Sequence, residues 1–380
     1  MTTAPRSRRL LTLLTAVLLG SAALAGCGDD DSDTGDGSSR PEPDVTLRLL
    51  THDSFAVSDE VLTAFTDDTG IEVELLQGGD AGTVVNQAIL TKGNPQADVL
   101  FGIDSTFLSR ALDEGLFVPH EAEGLDEVDD AFLLDDEHRV TPIDYGDVCL
   151  NYDKAWFAEA GLDVPDSLDD LVDPAYRDLL VVENPATSSP GLAFLLATIA
   201  EYGEDGWQDW WAQLRDNGVE VTSGWEDAYY GEFSGGATSE GDRPLVVSYA
   251  SSPPAEVIYA EPPVDDAPTG VITAGCYRQV EGAGILAGTE HEEEAGQLID
   301  FLLSETFQAD VPLSMFVYPV RRGVPLPPEF EAHAATPDGG AVLDPEPGGE
   351  RRAGGASRPA SRHISTTITV IEAPNTSSCA

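Results

Sequence analysis

The sequence predicts an α/β fold of two lobes, each a mostly parallel sheet flanked by helices. Two observations carry this prediction. From residue 45 onward, short apolar stretches alternate with longer stretches that have helix caps, and this alternation is typical of parallel sheets covered on both faces. The chain also has 380 residues, of which 41% are hydrophobic, which is enough for two domains with cores of their own.

The first unit contains three strand–helix pairs. The strands are "VTLRLLT", "IEVELL" and "ADVLFGID", and the helices that follow them are "SDEVLTAFTDDTG", "GTVVNQAILTKG" and "STFLSRALDEG". Ser58 is a typical cap for the first helix, and Gly70 is a typical stop. Because ligands of such sheets bind beyond the carboxyl ends of the strands, we expect a ligand crevice there.

The second unit begins near residue 141 with "TPIDYGDVCLNYDK". In "NPATSSPG", Ser188 or Ser189 is expected to cap a buried helix with Pro190 in its first turn, and such a helix N-terminus attracts anions. We predict two further helices, "WQDWWAQLRDNG" and, as one continuous amphipathic helix, "EEEAGQLIDFLLSETFQADV". Between these helices, "PLVVSYASSPP" and "CYRQVEGAGILAG" are predicted strands, so the chain passes between the lobes more than once.

These patterns divide the chain into six segments. They are a signal peptide (1–26), an acidic flexible tether (27–44), the first part of lobe 1 (45–143), lobe 2 (144–276), a return to lobe 1 with a closing segment (277–335) and a tail (336–380). The tail is rich in Pro, Gly, Ser and Arg and has no helical apolar period, so we predict that it is disordered.

The N-terminus resembles the signal of a bacterial lipoprotein. Arg6, Arg8 and Arg9 precede the apolar stretch Leu10–Leu19, which is too short for a comfortable membrane span. The motif "LAGC" follows, and an acidic linker begins after its cysteine, Cys27. We therefore expect cleavage before Cys27, a lipid on its thiol, and a mature protein anchored to the outer face of the cytoplasmic membrane.

The charge balance is strongly acidic. The chain has 69 acidic and 19 basic residues, which gives a formal net charge of -50 at pH 7. Such a charge excludes a protein that coats nucleic acid, because the phosphate backbone would be repelled. Two explanations remain open, namely solubility at high salt outside the cell and attraction of a cationic ligand.

Motifs for catalysis or metal binding are weak. The six histidines have no metal-ligand spacing, and the sequence has no phosphate-binding loop, GxSxG or GxGxxG in a strand–turn–helix setting. We therefore predict no catalytic residue, metal or cofactor.

With Cys27 as the lipid site and Cys379 in the tail, Cys149 and Cys276 remain, each in a predicted strand. In an exported protein this pair favours a disulfide over two buried thiols.

Aromatic and hydroxyl residues at predicted element ends are a better indication of a site. Trp225 lies among turn residues in "TSGWEDAYY", and Tyr249 ends the strand that runs into Ser251 and Ser252. Each of these residues alone is explained as core or capping. Together with "TSSPG" they favour a crevice in the second unit, because strand ends gather where crevices form.

In these and other segments the sequence resembles the bacterial ABC-transporter thiamine-binding lipoproteins, the periplasmic thiamine-binding protein family. The resemblance covers roughly residues 45–330 and is carried by "THDSFAVSDEV", "GIDSTFL", "IDYGDVCLNYDK", "NPATSSPGLAFL", "VTSGWEDAYYGEF", "VVSYASSPPAEVIY" and "SMFVYPV". It implies a type II periplasmic-binding-protein clamp with the ligand in the interlobe cleft. It further implies thiamine or thiamine phosphates as ligand, ABC permease and ATPase subunits as partners, a monomer, and no enzyme activity.

The resemblance also implies which residues contact the ligand. They are Asp80, Ala81, Ser188, Ser189, Trp225, Tyr249, Ala250, Ser251 and Ser252. Trp225 and Tyr249 would stack on the flat and cationic rings, Asp80 would face the cation or the aminopyrimidine, and the serines would hold the hydroxyl or phosphate end. His52 and Phe316 stand where the family often has tyrosine and tryptophan, and we expect them as additional contacts. An imidazole at position 52 would make binding pH-dependent.

Two alternatives stay open. The first is a binding protein for another small cation, ferric ion or a polyamine. An iron clamp needs clustered tyrosines, and Tyr229 and Tyr230 form the only adjacent pair in the sequence. The second is a thiaminase-like enzyme, which shares the clamp architecture but needs a free nucleophilic cysteine in the cleft. Only Cys149 and Cys276 are available for that role.

Overall fold

One mixed sheet with flanking helices carries the fold. The computed structural model describes residues 45–337 and the backbone of residues 342–343. Within them the strands are β1 (Val45–Thr51), β2 (Ile71–Gln77), β3 (Val99–Asp104), β4 (Phe117–Val118), β5 (Thr141–Asp153), β6 (Leu180–Glu183), β7 (Glu220–Thr222), β8 (Leu245–Tyr249), β9 (Thr269–Leu286), β10 (Tyr318–Pro319) and β11 (Val342–Leu343). The helices are α1 (Asp59–Thr69), α2 (Ala81–Thr91), α3 (Leu108–Asp113), α4 (Lys154–Ala160), α5 (Ser189–Asp216), α6 (Pro253–Ile258), α7 (Glu292–Leu302), α8 (Glu305–Ser314) and α9 (Pro328–His333).

The sheet is parallel at its two ends and antiparallel in its centre. Its strand order is β2-β1-β3-β9-β5-β8-β6-β7. At one end β1 pairs in parallel with β2 and β3, and at the other end β6 pairs in parallel with β7 and β8. The predicted parallel units are therefore present. The centre differs from a parallel sheet because β5 and β9 pair antiparallel with each other along their lengths, from Thr141–Ala283 to Asp153–Thr269.

Strands β5 and β9 are the long central strands that lie between the two parallel ends of the sheet. They have 13 and 18 residues, whereas the strands outside them have seven or fewer. Both predicted boundaries of the second lobe, at residues 144 and 276, fall inside these two strands. The division of the chain into lobes at those positions stays a prediction.

The predicted disulfide is confirmed. Cys149 on β5 and Cys276 on β9 are bonded, with their Cα atoms 4.5 Å apart. The bridge lies where the pairing of β5 with β9 is irregular, between Val148 and Leu150. Both cysteines are buried, at 1% and 0% exposure.

Helix ends follow the local sequence. Ser188 is the N-cap of α5 and accepts a hydrogen bond from the amide of Gly191 at 3.4 Å, with Pro190 in the first turn as predicted. Gly70 ends α1 in the left-handed conformation, with φ of 75°. Helix α5 contains both helices predicted for this region, the one that starts at Ser189 and the tryptophan-rich one. The two helical stretches meet at a kink at Gly203, where φ and ψ of 71° and 172° leave helical values.

One predicted helix is wrong. The segment "EEEAGQLIDFLLSETFQADV" forms two helices, α7 and α8, rather than one. Ser304 lies between them in an extended conformation and accepts a hydrogen bond from the amide of Phe307 at 3.4 Å. This serine therefore starts a new helix inside a continuous apolar pattern, because its side chain caps the free amides of α8.

Two large clusters of buried apolar side chains support the sheet. One joins β1 and β3 to helices α1, α7 and α8, and its members include Leu49, Phe65, Phe101, Leu298 and Phe307. The second contains buried side chains of α2, α5, β6 and β8. Full burial of a large apolar side chain contributes about 1.5–3 kcal/mol, so these clusters hold the strand ends in place.

The predicted signal peptide, tether and Cys27 lie outside the described residues. So does most of the predicted tail from residue 336. Of that tail the structure describes residues 336 and 337 and the strand β11, which pairs in parallel with β9 at Cys276 and Tyr277. In the part of the chain that the structure describes, no helix is long and apolar enough to cross a membrane.

Candidate functional site

A cleft lies at the carboxyl ends of the strands, where the sequence predicts it. It encloses about 800 Å³ of space between protein atoms, part of it open to solvent. Its walls come from both parallel ends of the sheet, since His52 follows β1, Asp80 follows β2, and Tyr249 ends β8. The lining residues are His52, Ser54, Asp80, Ala81, Asp144, Gly146, Ser189, Pro190, Trp225, Tyr229, Tyr230, Tyr249, Ser252, Ala255, Gln279, Glu281, Met315, Phe316 and Val317.

Asp80 joins the two sides of this cleft. Its side chain caps α2 by accepting from the amide of Ala81 at 2.6 Å. The same carboxylate accepts from the amides of Ser189 at 3.4 Å and Trp225 at 2.9 Å, which belong to the second predicted unit. Burial raises the pKa of Asp80, although these hydrogen bonds oppose the rise by favouring the carboxylate.

Trp225 and its neighbours form an aromatic wall. The indole stacks on Tyr229, with ring centroids 4.9 Å apart and an interplanar angle of 21°, and meets Tyr230 edge-on at 5.4 Å. Trp225 Nε1 donates to Ser248 Oγ at 2.9 Å, which fixes the ring. The sequence analysis predicted Trp225 as a ligand contact, but it named Tyr229 and Tyr230 only when weighing the alternative of an iron clamp. The spacing in "WEDAYY" places all three rings beside one turn of irregular helix, Asp227–Glu232.

Tyr249 and Ser252 contribute polar groups to the cleft beside the aromatic wall. Tyr249 Oη donates to Gln279 Oε1 at 3.1 Å. Ser252 Oγ accepts from the amide of Tyr249 at 3.3 Å and lies 2.9 Å from Ser248 Oγ. These two contacts fix the orientation of Ser252 Oγ at the cleft wall.

His52 is held between a hydroxyl and a carboxylate. Its Nδ1 lies 3.1 Å from Ser54 Oγ, and its Nε2 lies 3.4 Å from Glu281 Oε2. Burial is the largest single effect and disfavours the imidazolium, but the charge and hydrogen bond of Glu281, together with the charges of Asp80 and Asp53, raise the pKa of His52. Phe316, the other expected additional contact, lines the cleft, and its ring stacks on Phe330 with centroids 6.2 Å apart.

The structure brings most of the predicted contacts together and places three behind the wall. Asp80, Ala81, Ser189, Trp225, Tyr249, Ser252, His52 and Phe316 line the cleft. Ser188, Ala250 and Ser251 do not line it, and each is 0% exposed. Ser188 caps α5, and the amide of Ala250 donates to the carbonyl of Asp147 at 2.8 Å, so these residues support the wall from behind.

Three buried carboxyl groups near the cleft were not predicted. Asp104, Asp144 and Glu281 are 1%, 2% and 7% exposed. Asp104 Oδ1 accepts from the amide of Thr106 at 2.5 Å, and Asp104 Oδ2 accepts from Ser189 Oγ. Burial raises the pKa of Asp104 to about 7, because it penalises the carboxylate more than these bonds favour it. Among the residues that the structure describes, no group of three or more His, Cys, Asp or Glu side chains has an arrangement that would hold a metal ion.

Comparison with known proteins assigns the family. Residues 94–339 match the model of a family described as bacterial extracellular solute-binding proteins. The chain belongs to this family. The solute-binding protein is 32% identical to the "Thiamine-binding periplasmic protein" of Escherichia coli over 289 residues, which cover 75% of this chain and 84% of that relative.

Solved structures confirm the predicted two-lobed clamp of type II periplasmic binding proteins. A "Periplasmic thiamin binding protein" matches this solute-binding protein with a TM-score of 0.68 and 28% identity, covering 85% of this chain and 94% of that chain. Iron-bound HitA from Pseudomonas aeruginosa matches with a TM-score of 0.59 and 24% identity, covering 77% and 94%. The likeness to HitA shows the shared fold alone.

Proposed function

We propose that this solute-binding protein is the extracytoplasmic receptor of an ABC importer and that it binds thiamine or a thiamine phosphate. The observation that carries the proposal is the pairing of an aromatic wall, Trp225 and Tyr230, with the carboxylate of Asp80 in one cleft. The relatives named as thiamine-binding proteins support it, since they match over three quarters of the chain.

The cleft has a chemical partner for each part of thiamine. The flat aminopyrimidine and the cationic thiazolium suit aromatic faces, which attract both π-systems and cations. Asp80 is placed to accept a hydrogen bond from the exocyclic amine of the aminopyrimidine. The hydroxyl or phosphate end suits Ser189, at the N-terminus of α5, together with Ser252, because helix N-termini favour anions.

Ser188, Ala250 and Ser251 belong to the proposed site in a supporting role. They are fully buried behind Ser189, Tyr249 and Ser252 rather than at the cleft surface. We propose that they set the positions of those neighbours.

The proposal extends to the cellular setting. Removal of residues 1–26 and a lipid on Cys27 would anchor the protein outside the cytoplasmic membrane as a monomer. From there it would deliver its ligand to ABC permease and ATPase subunits. The disulfide supports a binding role over a thiaminase-like one, because it consumes both thiols of the described cysteines.

A thermal-unfolding screen tests the proposed ligand. Purified protein from residue 28 onward is heated with thiamine, thiamine monophosphate, thiamine diphosphate, ferric ion or spermidine. We expect thiamine or one of its phosphates to raise the Tm most, since a ligand at about 100 times its Kd stabilises by about 2.7 kcal/mol. A larger shift with ferric ion or spermidine would assign the cleft to that cation instead.

A further inference from the structure

Three acidic side chains lie side by side across three adjacent strands. Glu281 on β9 is the register partner of Asp104 on β3 and also of Asp144 on β5. Register partners project from the same face of a sheet, and like charges in such positions repel each other. We call Asp104, Glu281 and Asp144 the acidic row.

The acidic row reaches the cleft through Asp144 and Glu281, which both line it. Asp144 is 2% exposed, and its Oδ2 has no hydrogen-bond partner among the described residues. Glu281 Oε2 has His52 Nε2 at 3.4 Å. Arg278, three residues before Glu281 on β9, binds Asp147 at 2.9 Å. The row therefore contains a buried carboxyl oxygen with no hydrogen-bond partner among the described residues, on a residue that lines the cleft.

Five groups face the row. They are His52 after β1, Asp80 after β2, Tyr249 at the end of β8, Gln279 on β9 and Ser189 at the start of α5. Of these groups only His52 carries a positive charge, and only when protonated. Three carboxylates in this buried position would repel one another strongly, so the ligand-free row must retain protons near neutral pH. In agreement, burial raises the pKa of Asp144 well above its ordinary range, and the charge of Glu281 raises it further.

We propose that the acidic row is the counter-ion site for the positive charge of the ligand, and that it exchanges a proton for that charge. The cation enters the cleft, one carboxyl group of the row loses its proton to bulk water, and the carboxylate that remains pairs with the cation. The total charge in the cleft is then the same before and after binding. This inference rests on the proposed function in one respect, that the ligand is a monovalent organic cation.

The exchange gives binding a definite pH dependence. The cation favours the deprotonated row, so it lowers the pKa of the group that gives up the proton. Affinity for the cation should therefore rise as the pH increases from about 5 and level off above about 7, where Asp104 titrates in the free protein. Loss of the proton from His52, whose pKa is raised, acts in the same direction, because the imidazolium repels a cation.

Calorimetry of the wild-type protein tests the exchange without any variant. Thiamine is titrated at about pH 6 in two buffers with different ionisation enthalpies, and the difference in heat gives the number of protons released. We expect a release approaching one proton and a Kd that falls by up to about tenfold per pH unit below pH 7. A neutral analogue, in which carbon replaces the thiazolium nitrogen, should release none and bind with a Kd that does not follow this trend.

The Asp144→Asn variant distinguishes protons released by the acidic row from protons released by other titrating groups. The amide keeps the shape of the side chain but cannot give up a proton in this range, so we expect less than half of the wild-type proton release and a flatter pH profile. Asp98→Asn is the matched control. Asp98 precedes β3 at the end opposite Asp104, is 4% exposed, and binds the amide of Arg48 and the hydroxyl of Thr289. Its replacement should leave proton release unchanged.

The outcomes distinguish this inference from the proposed function. If thiamine binds the wild-type protein with no proton release and the same Kd at each pH, the exchange is wrong while the receptor function stands. The exchange is also wrong if Asp144→Asn, folded as judged by circular dichroism, releases as many protons as the wild type. If thiamine does not bind at any pH, the proposed function itself fails.

Discussion

Single side chains of the same type have different roles, and their immediate sequence reveals only some of these roles. Trp225 and Trp207 are both half-buried, but Trp225 lines the cleft, whereas Trp207 packs against the apolar core on α5. The turn residues around Trp225 led us to expect it at a crevice, and it lines the cleft. Local sequence could not predict the acidic row, because its members come together through the register of β3, β9 and β5, which is set by contacts distant in the chain.

Replacement of Trp225 tests the aromatic wall. Trp225→Ala removes the stacked face while Tyr229 stays in place, so thiamine binding should weaken by about 1–3 kcal/mol, up to roughly a hundredfold in Kd. Isothermal calorimetry measures the change, and Trp207→Ala serves as the control because it removes the same ring outside the cleft. Unchanged binding in the Trp225→Ala protein would place the ligand elsewhere.

At the scale of elements, helix caps were predicted better than helix continuity. Ser188 and Gly70 act as the sequence indicates, because each needs only its own neighbours to satisfy the backbone at a helix end. The break at Ser304 was missed, since a serine inside an apolar period is compatible with either one helix or two. The antiparallel centre of the sheet was also missed, because strand direction depends on the path of β5 and β9 between distant segments.

Asp80 shows how one cap orders three elements. Its carboxylate accepts from amides at the starts of α2 and α5 and from the amide of Trp225. Asp80→Asn keeps one acceptor oxygen and replaces the other with an amide nitrogen. Some of the backbone amides on the two sides of the cleft then lose their acceptor, so the two walls should no longer be held in fixed positions. We expect thiamine and its neutral analogue to bind more weakly by the same factor, about tenfold or more, because a hydrogen bond to a charged group contributes about 1.5–3 kcal/mol.

A comparison with Asp153→Asn controls for loss of a helix cap. Asp153 caps α4 by accepting from the amides of Ala155 and Trp156, and it does not line the cleft. This variant should lower thermal stability and leave both Kd values unchanged. If Asp80→Asn instead weakened thiamine much more than the neutral analogue, Asp80 would be the group that answers the ligand's charge, in place of the acidic row.

Across the whole molecule, β5 and β9 connect the two parallel ends of the sheet, and the Cys149–Cys276 disulfide fastens these strands together. The two cysteines are separated by 127 residues in the chain. A crosslink that closes so long a loop restricts the unfolded chain strongly. On the chain-entropy model, this restriction stabilises the folded protein by about 4–5 kcal/mol.

Reduction of the disulfide should therefore cost most of this stability while leaving the site intact. Denaturant unfolding of the oxidised and reduced wild-type protein, both ligand-free, should show a midpoint that falls on reduction with little change in native-state binding, because neither cysteine lines the cleft. The double replacement Cys149→Ala and Cys276→Ala should resemble the reduced protein, with an added cost for the two buried sulfur atoms. A loss of less than about 1 kcal/mol on reduction would mean that the unfolded chain is already restricted without the bridge, through residual pairing of β5 with β9.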